Sequence, residues 1–385
     1  MAIRRLSLNN FRCYSSLRLT IEFPIIVLTG PNGAGKTNIL EAISFLVPGR
    51  GLRAANLADV ALTSRNTQNH IKNWAVSATV AGCGGTHEIG TGISQETPMG
   101  RLKRAVRIDG ESMKGQSPLG EKLSVLWLTP DMQRLFNEGP SSRRRFLDRL
   151  VFGFDPAHAG RLKAFDKSLR ERSLLIQNEA VLGKKADPDW LNILENTIVE
   201  KGVAISAARV ALVDRLNPAC AMGIGPFPSA SLSVVGVLES WLSEMPAVEA
   251  EDLYRSSLKK SRRLESANRG KGIGPNYSDF FVKHISKEMP ASQCSTGEQK
   301  ALLISIVLAN ARLQSLERNA MPILLLDEIA AHVDEARRAA LFSELGNLGA
   351  QAWMTGVDPS LFTQLSGLAH NFSINNSRVT ENPLT

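Results

Sequence analysis

Eight residues near the start of the chain, Gly30-Pro31-Asn32-Gly33-Ala34-Gly35-Lys36-Thr37, have the types and spacing that hold a polyphosphate. Glycines let consecutive backbone N–H groups turn inward around phosphate oxygens, and a helix starting at the loop adds its positive N-terminal end. In such a loop Lys36 reaches the β and γ phosphates and the Thr37 hydroxyl ligates Mg²⁺. The loop must then lie between a buried strand and a helix. Both patterns are present: the apolar run Ile25-Ile26-Val27-Leu28 precedes it, and Asn38-Ile39-Leu40-Glu41-Ala42-Ile43 follows. A nucleoside triphosphate site is expected here.

Groups that could complete this chemistry stand near the other end of the sequence. Residues 322 to 326, Pro-Ile-Leu-Leu-Leu, read as a buried strand that ends in Asp327-Glu328. Asp327 would hold Mg²⁺ and Glu328 would polarise the attacking water, the arrangement of a Walker B strand. Such a pair can also be a plain strand-end cap, but beside a complete phosphate loop the catalytic reading is preferred. Upstream, Cys294-Ser295-Thr296-Gly297-Glu298-Gln299-Lys300 leads into an apolar helical stretch over residues 301 to 313. Ser and Gly at a helix N-terminus make an anion cup suited to a γ-phosphate, although taken alone the segment is a capped helix. A signature helix, a Walker B strand and a turn such as Ala331-His332-Val333-Asp334 occur in this order in ATP-binding-cassette ATPases. In that class two heads sandwich two ATP molecules, and each site borrows the other chain's signature serine.

With 385 residues, 43% of them hydrophobic, the chain can bury a large core and has room for two or three domains. No uninterrupted apolar stretch approaches the roughly 18 residues of a membrane span, and the first residues, Met1-Ala2-Ile3-Arg4-Arg5, do not lead into a signal-peptide core. Cys13, Cys83, Cys220 and Cys294 match no zinc or disulfide spacing, so a cytoplasmic protein is expected. The net charge of +8, from 45 basic and 37 acidic side chains, favours a polyanionic partner. Three basic clusters sharpen this: Arg255, Lys259, Lys260, Arg262, Arg263, Arg269 and Lys271; Arg143, Arg144, Arg145 and Arg149; and Arg101, Lys103, Arg104 and Arg107. Any one could be a solvated face. In a chain with a phosphate-binding loop, three together point to DNA.

Short alternating runs over residues 3 to 8, 17 to 29, 71 to 80, 86 to 93 and 104 to 108 predict a β-rich subdomain around the loop. From about residue 141 the spacing becomes helical and continues to 216. A Gly/Pro-rich break at 218 to 228 follows, then a strand at 230 to 237, a helix at 248 to 264 and a flexible return at 269 to 275. The fold class is α/β, and the nucleotide motifs at both ends imply an ABC-type P-loop ATPase head of residues 1–125 and 286–385 with a mostly helical arm inserted at 126–285.

These motifs resemble the RecF family, DNA-repair ATPases related to the heads of SMC proteins. The resemblance rests on Leu8-Asn9-Asn10-Phe11-Arg12-Cys13-Tyr14, the loop and helix of residues 30 to 43, Gly139-Pro140-Ser141-Ser142-Arg143-Arg144-Arg145-Phe146-Leu147-Asp148, the signature from Ser295 to Lys300, and residues 324 to 328 with 334 to 338. The Gly-Pro-then-Arg-Arg-Arg-Phe-Leu-Asp element discriminates, because transporter ATPases of the same class lack it. The resemblance implies that Arg12 sits near the nucleotide phosphates, that Ser295 acts on the nucleotide of a second chain, that Thr296, Gly297, Glu298 and Asp334 are also nucleotide-binding, and that Gln133 takes a Q-loop position near Mg²⁺. It also implies ATP-dependent dimerisation on DNA, a preference for gapped or single-strand/double-strand junction DNA, weak DNA-stimulated ATP hydrolysis, and help in loading RecA with RecO and RecR. DNA contacts would then fall to Arg143, Arg144, Arg145, Lys259, Lys260, Arg262 and Arg263.

Three departures bear on this. A basic pair common in the family is replaced by Asn276 and Tyr277; Glu328 stands where Asp is frequent, which favours hydrolysis; and Trp353-Met354-Thr355-Gly356 occupies the usual switch-histidine region with no His, while His332 reads as structural. A transporter-type ATPase subunit and an SMC-type clamp remain alternatives. The first should bind a membrane partner and ignore DNA; the second needs helical hairpins longer than residues 141 to 270 allow. A nuclease fused to such a head would need a spare cluster of acids, which is absent.

Overall fold

Four runs that are apolar at almost every position, Ile25–Thr29, Val125–Leu128, Ile323–Leu326 and Ala352–Gly356, are buried throughout, as strands covered on both faces must be. In the computed structural model they form one sheet. Its order is Arg378–Glu381, Ala369–Asn375, Ile25–Thr29, Ala352–Gly356, Ile323–Leu326, Val125–Leu128, parallel except for the first, antiparallel edge strand. The structure describes residues 1–62, 73–82, 84–94, 102–182, 186–266 and 272–382. Arg101, Arg269, Lys271 and Cys83 lie outside these, as do the side chains of Arg263 and His332.

A second, antiparallel sheet carries the alternating runs, in the order Tyr14–Thr20, Ala2–Phe11, Ala75–Gly82, Gly85–Ser94, Lys103–Ile108, Glu111–Ser112. Its inward residues, among them Leu6, Leu8, Val76, Val80, Ile89 and Val106, share one core with Ile39, Leu40 and Ile43 of the helix Lys36–Ser44. Phe11, Phe45 and Trp74 meet edge to face at 5.1 to 5.9 Å in that core, a geometry favoured by their ring quadrupoles.

The described chain divides into two compact units. The first is Met1–Gln133 with Gly223–Pro228 and Ser295–Thr385, and the second is Arg134–Met222 with Ser229–Cys294. The first unit draws on both ends of the sequence. Its edge strand Val125–Leu128 carries it past the expected boundary at 125, and the signature starts the returning part at Ser295 rather than 286.

The second unit is built on the helices Pro140–Phe152, His158–Leu182, Pro188–Met222, Val237–Glu244 and Ala247–Ser266. It also holds a three-stranded antiparallel sheet of Met289–Pro290, Asp279–His284 and Ala230–Val235, which helical spacing alone under-represents. Pro218, read from sequence as the start of a break, lies inside the helix that runs on to Met222.

Two buried ion clusters tie the arm's helices together. Asp148 accepts from both sides of the Arg209 guanidinium at 2.8 Å and lies 2.8 Å from the His158 ring. Glu195, 1% exposed, accepts from Arg172 at 2.9 Å and from Arg262 at 2.8 and 2.6 Å. Breaking such a pair strands a charge in low dielectric, so these arginines are structural before they are anything else.

Candidate functional site

The phosphate loop follows its strand as the sequence requires, and its backbone explains its glycines. Gly30, Gly33 and Gly35 have φ of 142°, 78° and 115°, outside the range side-chain-bearing residues adopt readily. A Cβ on Gly30 would also clash with the Ile374 carbonyl oxygen. Pro31, Asn32 and Gly33 are exposed, whereas Ala34, Gly35 and Lys36 are buried. Among the described residues no side chain caps the helix that begins at Lys36, so its N-terminal end supplies positive potential at the loop.

Lys36 is 4% exposed, and its ammonium donates to the Gly30 and Pro31 carbonyls at 2.7 and 2.9 Å. Burial lowers its pKa, while Glu328 and Asp327 act the other way. An ammonium held in the loop by backbone and opposed by burial gains from any anion that enters.

Beside the loop, the strand Ile323–Leu326 delivers Asp327. Thr37 donates to its two carboxylate oxygens at 2.9 and 3.2 Å. Burial is the main cause that raises the Asp327 pKa, with hydrogen bonds from Thr355 and Thr37 opposing it. Glu328 follows with φ of 52°, a left-handed conformation uncommon for a residue with a side chain. Its N–H donates to the Thr355 hydroxyl at 2.8 Å, and that hydroxyl donates to Asp327 at 2.7 Å.

Thr355 is the residue that sequence reasoning missed. It belongs to the strand Ala352–Gly356, which lies between the loop strand and the Walker B strand, so one hydroxyl fixes both acidic residues. The signal was present in Trp353-Met354-Thr355-Gly356, a segment that stands out along the chain only for lacking a histidine. A Thr355→Val substitution is expected to cost about 1–3 kcal/mol, because it keeps the shape but leaves a buried carboxylate short of a donor. Thermal unfolding compared with wild type checks this, and hydrolysis should fall with ATP affinity largely kept.

Gln133 lines a small cavity with Asp327, Lys300, Thr129 and the apolar Leu128, Met132, Leu303 and Ile329. Burial pushes the Lys300 ammonium down to about 8. Arg12 is occupied. It makes a two-pronged pair with the buried Glu41, at 2.9 and 2.6 Å, and its backbone has φ of 54°. Arg53, not anticipated, donates to Asn38 at 3.1 Å and to Glu41 at 3.4 Å. Arg12 and Arg53 thus bracket the first turns of the loop helix through Glu41.

Ser295 caps the signature helix Thr296–Arg318 in a full capping box: its hydroxyl accepts from the Glu298 N–H, and the Glu298 carboxylate accepts from the Ser295 N–H at 3.0 Å. Ser295, Thr296 and Gly297 are exposed. Asp334 caps the helix Glu335–Leu348, accepting from the Arg337 N–H at 2.9 Å.

Most of the arginines expected to face DNA have other work. Arg143 forms a two-pronged pair with Asp279 at 2.8 and 2.7 Å, Arg144 donates to the Ser278 carbonyl at 2.7 Å, and Arg262 is held by Glu195. Arg104 is buried and donates to Thr91 and to backbone carbonyls including Phe45 and Gly49. These clusters look solvated in sequence because their acidic or carbonyl partners are distant along the chain. Arg145, Lys103, Arg107, Lys259 and Lys260 are exposed.

A family model described as the RecF/RecN/SMC N-terminal domain matches residues 2–380. The DNA replication and repair protein RecF of Mesorhizobium japonicum is 44% identical over 384 residues, covering 98% of this chain and 97% of that protein. The chain belongs to the RecF family. The protein of the same name in Brucella suis biovar 1 is 43% identical over 388 residues, covering 99% of this chain and 96% of that protein. Among solved structures, that of the recombination mediator protein RecF-ATPrS in the RecFOR pathway has a TM-score of 0.82 at 20% identity, covering 99% of this chain and 98% of the other. An Smc head domain from Pyrococcus furiosus has a TM-score of 0.53 at 16% identity, covering 99% and 96%. At these identities the likeness is one of fold, and the fold is that of an SMC-type ATPase head. Among the described residues no helix is long and apolar enough to cross a membrane.

Proposed function

We propose that this chain is an ATP-dependent, DNA-binding protein of recombinational repair, which binds ATP and Mg²⁺, forms a homodimer on DNA and hydrolyses ATP slowly, faster with DNA. The observation that carries this reading is the joined set Thr37, Asp327, Thr355 and Glu328 at the mouth of the phosphate loop. The donors fit the expected metal: a hydroxyl and a carboxylate are hard oxygen ligands already within 2.9 Å of each other. Among the described residues no cluster of three His, Cys, Asp or Glu could hold a metal, so a cation here would complete its shell with phosphate and water oxygens. When bound, Mg²⁺ would neutralise charge between the β and γ phosphates. Lys36 adds positive charge at the same bridge, and Glu328 takes the proton of the attacking water. Gln133 would orient that water or the metal shell.

The names of the relatives, DNA replication and repair proteins, support the DNA partner. Assembly with RecO and RecR, delivery of RecA and a cytoplasmic home belong to the same reading. Dimerisation would bring the exposed Ser295 cup of one copy onto the γ-phosphate of the other, with the Asp334 turn beside it.

The direct test is binding to single-stranded, duplex and gapped DNA with and without ATP. ATP should strengthen binding, most on gapped DNA; binding indifferent to ATP on every substrate would overturn the proposal. Affinity should also fall steeply with salt, because each neutralised phosphate releases condensed counterion. Replacing the exposed Lys259 and Lys260 by Ala should flatten the slope of log K against log salt by about one for each DNA phosphate no longer neutralised. An unchanged slope would make this pair a solvated face. Arg262→Ala should act first on the arm's thermal stability, since it uncovers the buried Glu195.

A further inference from the structure

The helix that begins at the signature serine is buried on every side from Gln299 to Ala311, and one of its buried side chains is a lysine. Lys300 is 4% exposed, and its Nζ has no hydrogen-bond partner among the described residues. A buried ammonium without partners is costly enough that folded chains rarely retain one for packing alone. It lines a cavity together with Gln133, Asp327 and Thr129, with Leu303 and Ile329 as apolar walls. The polar part of that wall is the rear of the proposed hydrolytic site.

We propose that Lys300 is a positioning residue that couples the two nucleotide sites of a dimer, linking the signature cup to the Gln133 and Asp327 of its own chain. The inference rests on the ATPase reading above and deepens it. Lys300 lies five residues beyond Ser295, about 7.5 Å along the helix axis at 1.5 Å per residue. The first turn is exposed and would meet the other copy's phosphate, while the second is buried. Cup and ammonium belong to one continuous helix, so a pull on the cup would be passed along it to the cavity that Lys300 shares with Gln133 and Asp327. A lysine suits this role, because its three donors sit on a flexible stem and can pass between two oxygen acceptors without a fixed fork geometry. Occupancy of the partner's site would then set the orientation of the groups that hold metal and water in this one.

The test is Lys300→Met, which keeps the stem's bulk and removes the charge, measured on the full chain beside wild type. Monomeric ATP affinity should stay within about threefold, and the unfolding temperature should hold or rise, since an unpartnered charge is gone. The kcat for ATP should fall about tenfold or more, and its dependence on ATP concentration should lose cooperativity, with a Hill coefficient near one. Wild-type kcat and cooperativity in Lys300→Met would overturn the coupling, as would a loss of monomeric ATP affinity exceeding tenfold, which would make Lys300 part of its own nucleotide site. Failure of the wild-type chain to bind ATP would instead remove the ATPase reading on which the inference rests.

Discussion

Lys36→Ala is expected to bind ATP at least about 100-fold more weakly than wild type and to show no measurable turnover. The ammonium is buried in the loop and already held by two backbone carbonyls, so its charge is aimed before nucleotide arrives. Charge-assisted hydrogen bonds of this kind contribute about 1.5–3 kcal/mol each, and loss of two accounts for the 100-fold figure. Lys36→Met, which fills the same space without the charge, separates electrostatics from packing and should behave like the Ala variant. Lys36→Arg should keep part of the binding and lose hydrolysis, because a planar guanidinium cannot replace a compact ammonium at the β/γ bridge. Titration with ATP and a phosphate-release assay check all three. Wild-type turnover in Lys36→Ala would remove the phosphate loop from the chemistry.

The head was legible in the sequence because its chemistry constrains the backbone locally. A glycine loop between an apolar run and a helix, or an acidic pair after four aliphatics, can be read without knowing what lies beside it. Thr355 could not be read in that way. Its role depends on strand order, since Ala352–Gly356 enters between the loop strand and the Walker B strand only once the sheet is assembled. The same limit applies to the basic clusters. Arg143 is neutralised by Asp279 and Arg262 by Glu195, partners 136 and 67 residues away along the chain, so local charge overstated the surface field. Periodicity likewise identified the arm's helices but gave less weight to its small sheet, whose strands come from residues 230 to 290 with two helices between them.

Glu328→Gln is expected to leave ATP binding intact while lowering kcat by about 10²–10⁴, the usual contribution of a general base. Gln preserves the length and shape of the side chain, and the backbone N–H bond to Thr355 that fixes its position does not involve the carboxylate. Thr37 and Asp327 would still hold the metal, so an ATP-bound dimer should accumulate and be visible by light scattering. The left-handed backbone at Glu328 gives a second, independent reading. A side chain held at φ of 52° carries strain on the order of 1 kcal/mol, which glycine does not. Glu328→Gly should therefore raise the unfolding temperature or leave it unchanged while abolishing hydrolysis as fully as Gln does. That combination, stability kept and turnover lost, is what a strained residue retained for its chemistry should show. Unchanged hydrolysis in Glu328→Gln would pass the role of base to another group, and a destabilised Glu328→Gly would mean that the side chain serves the fold.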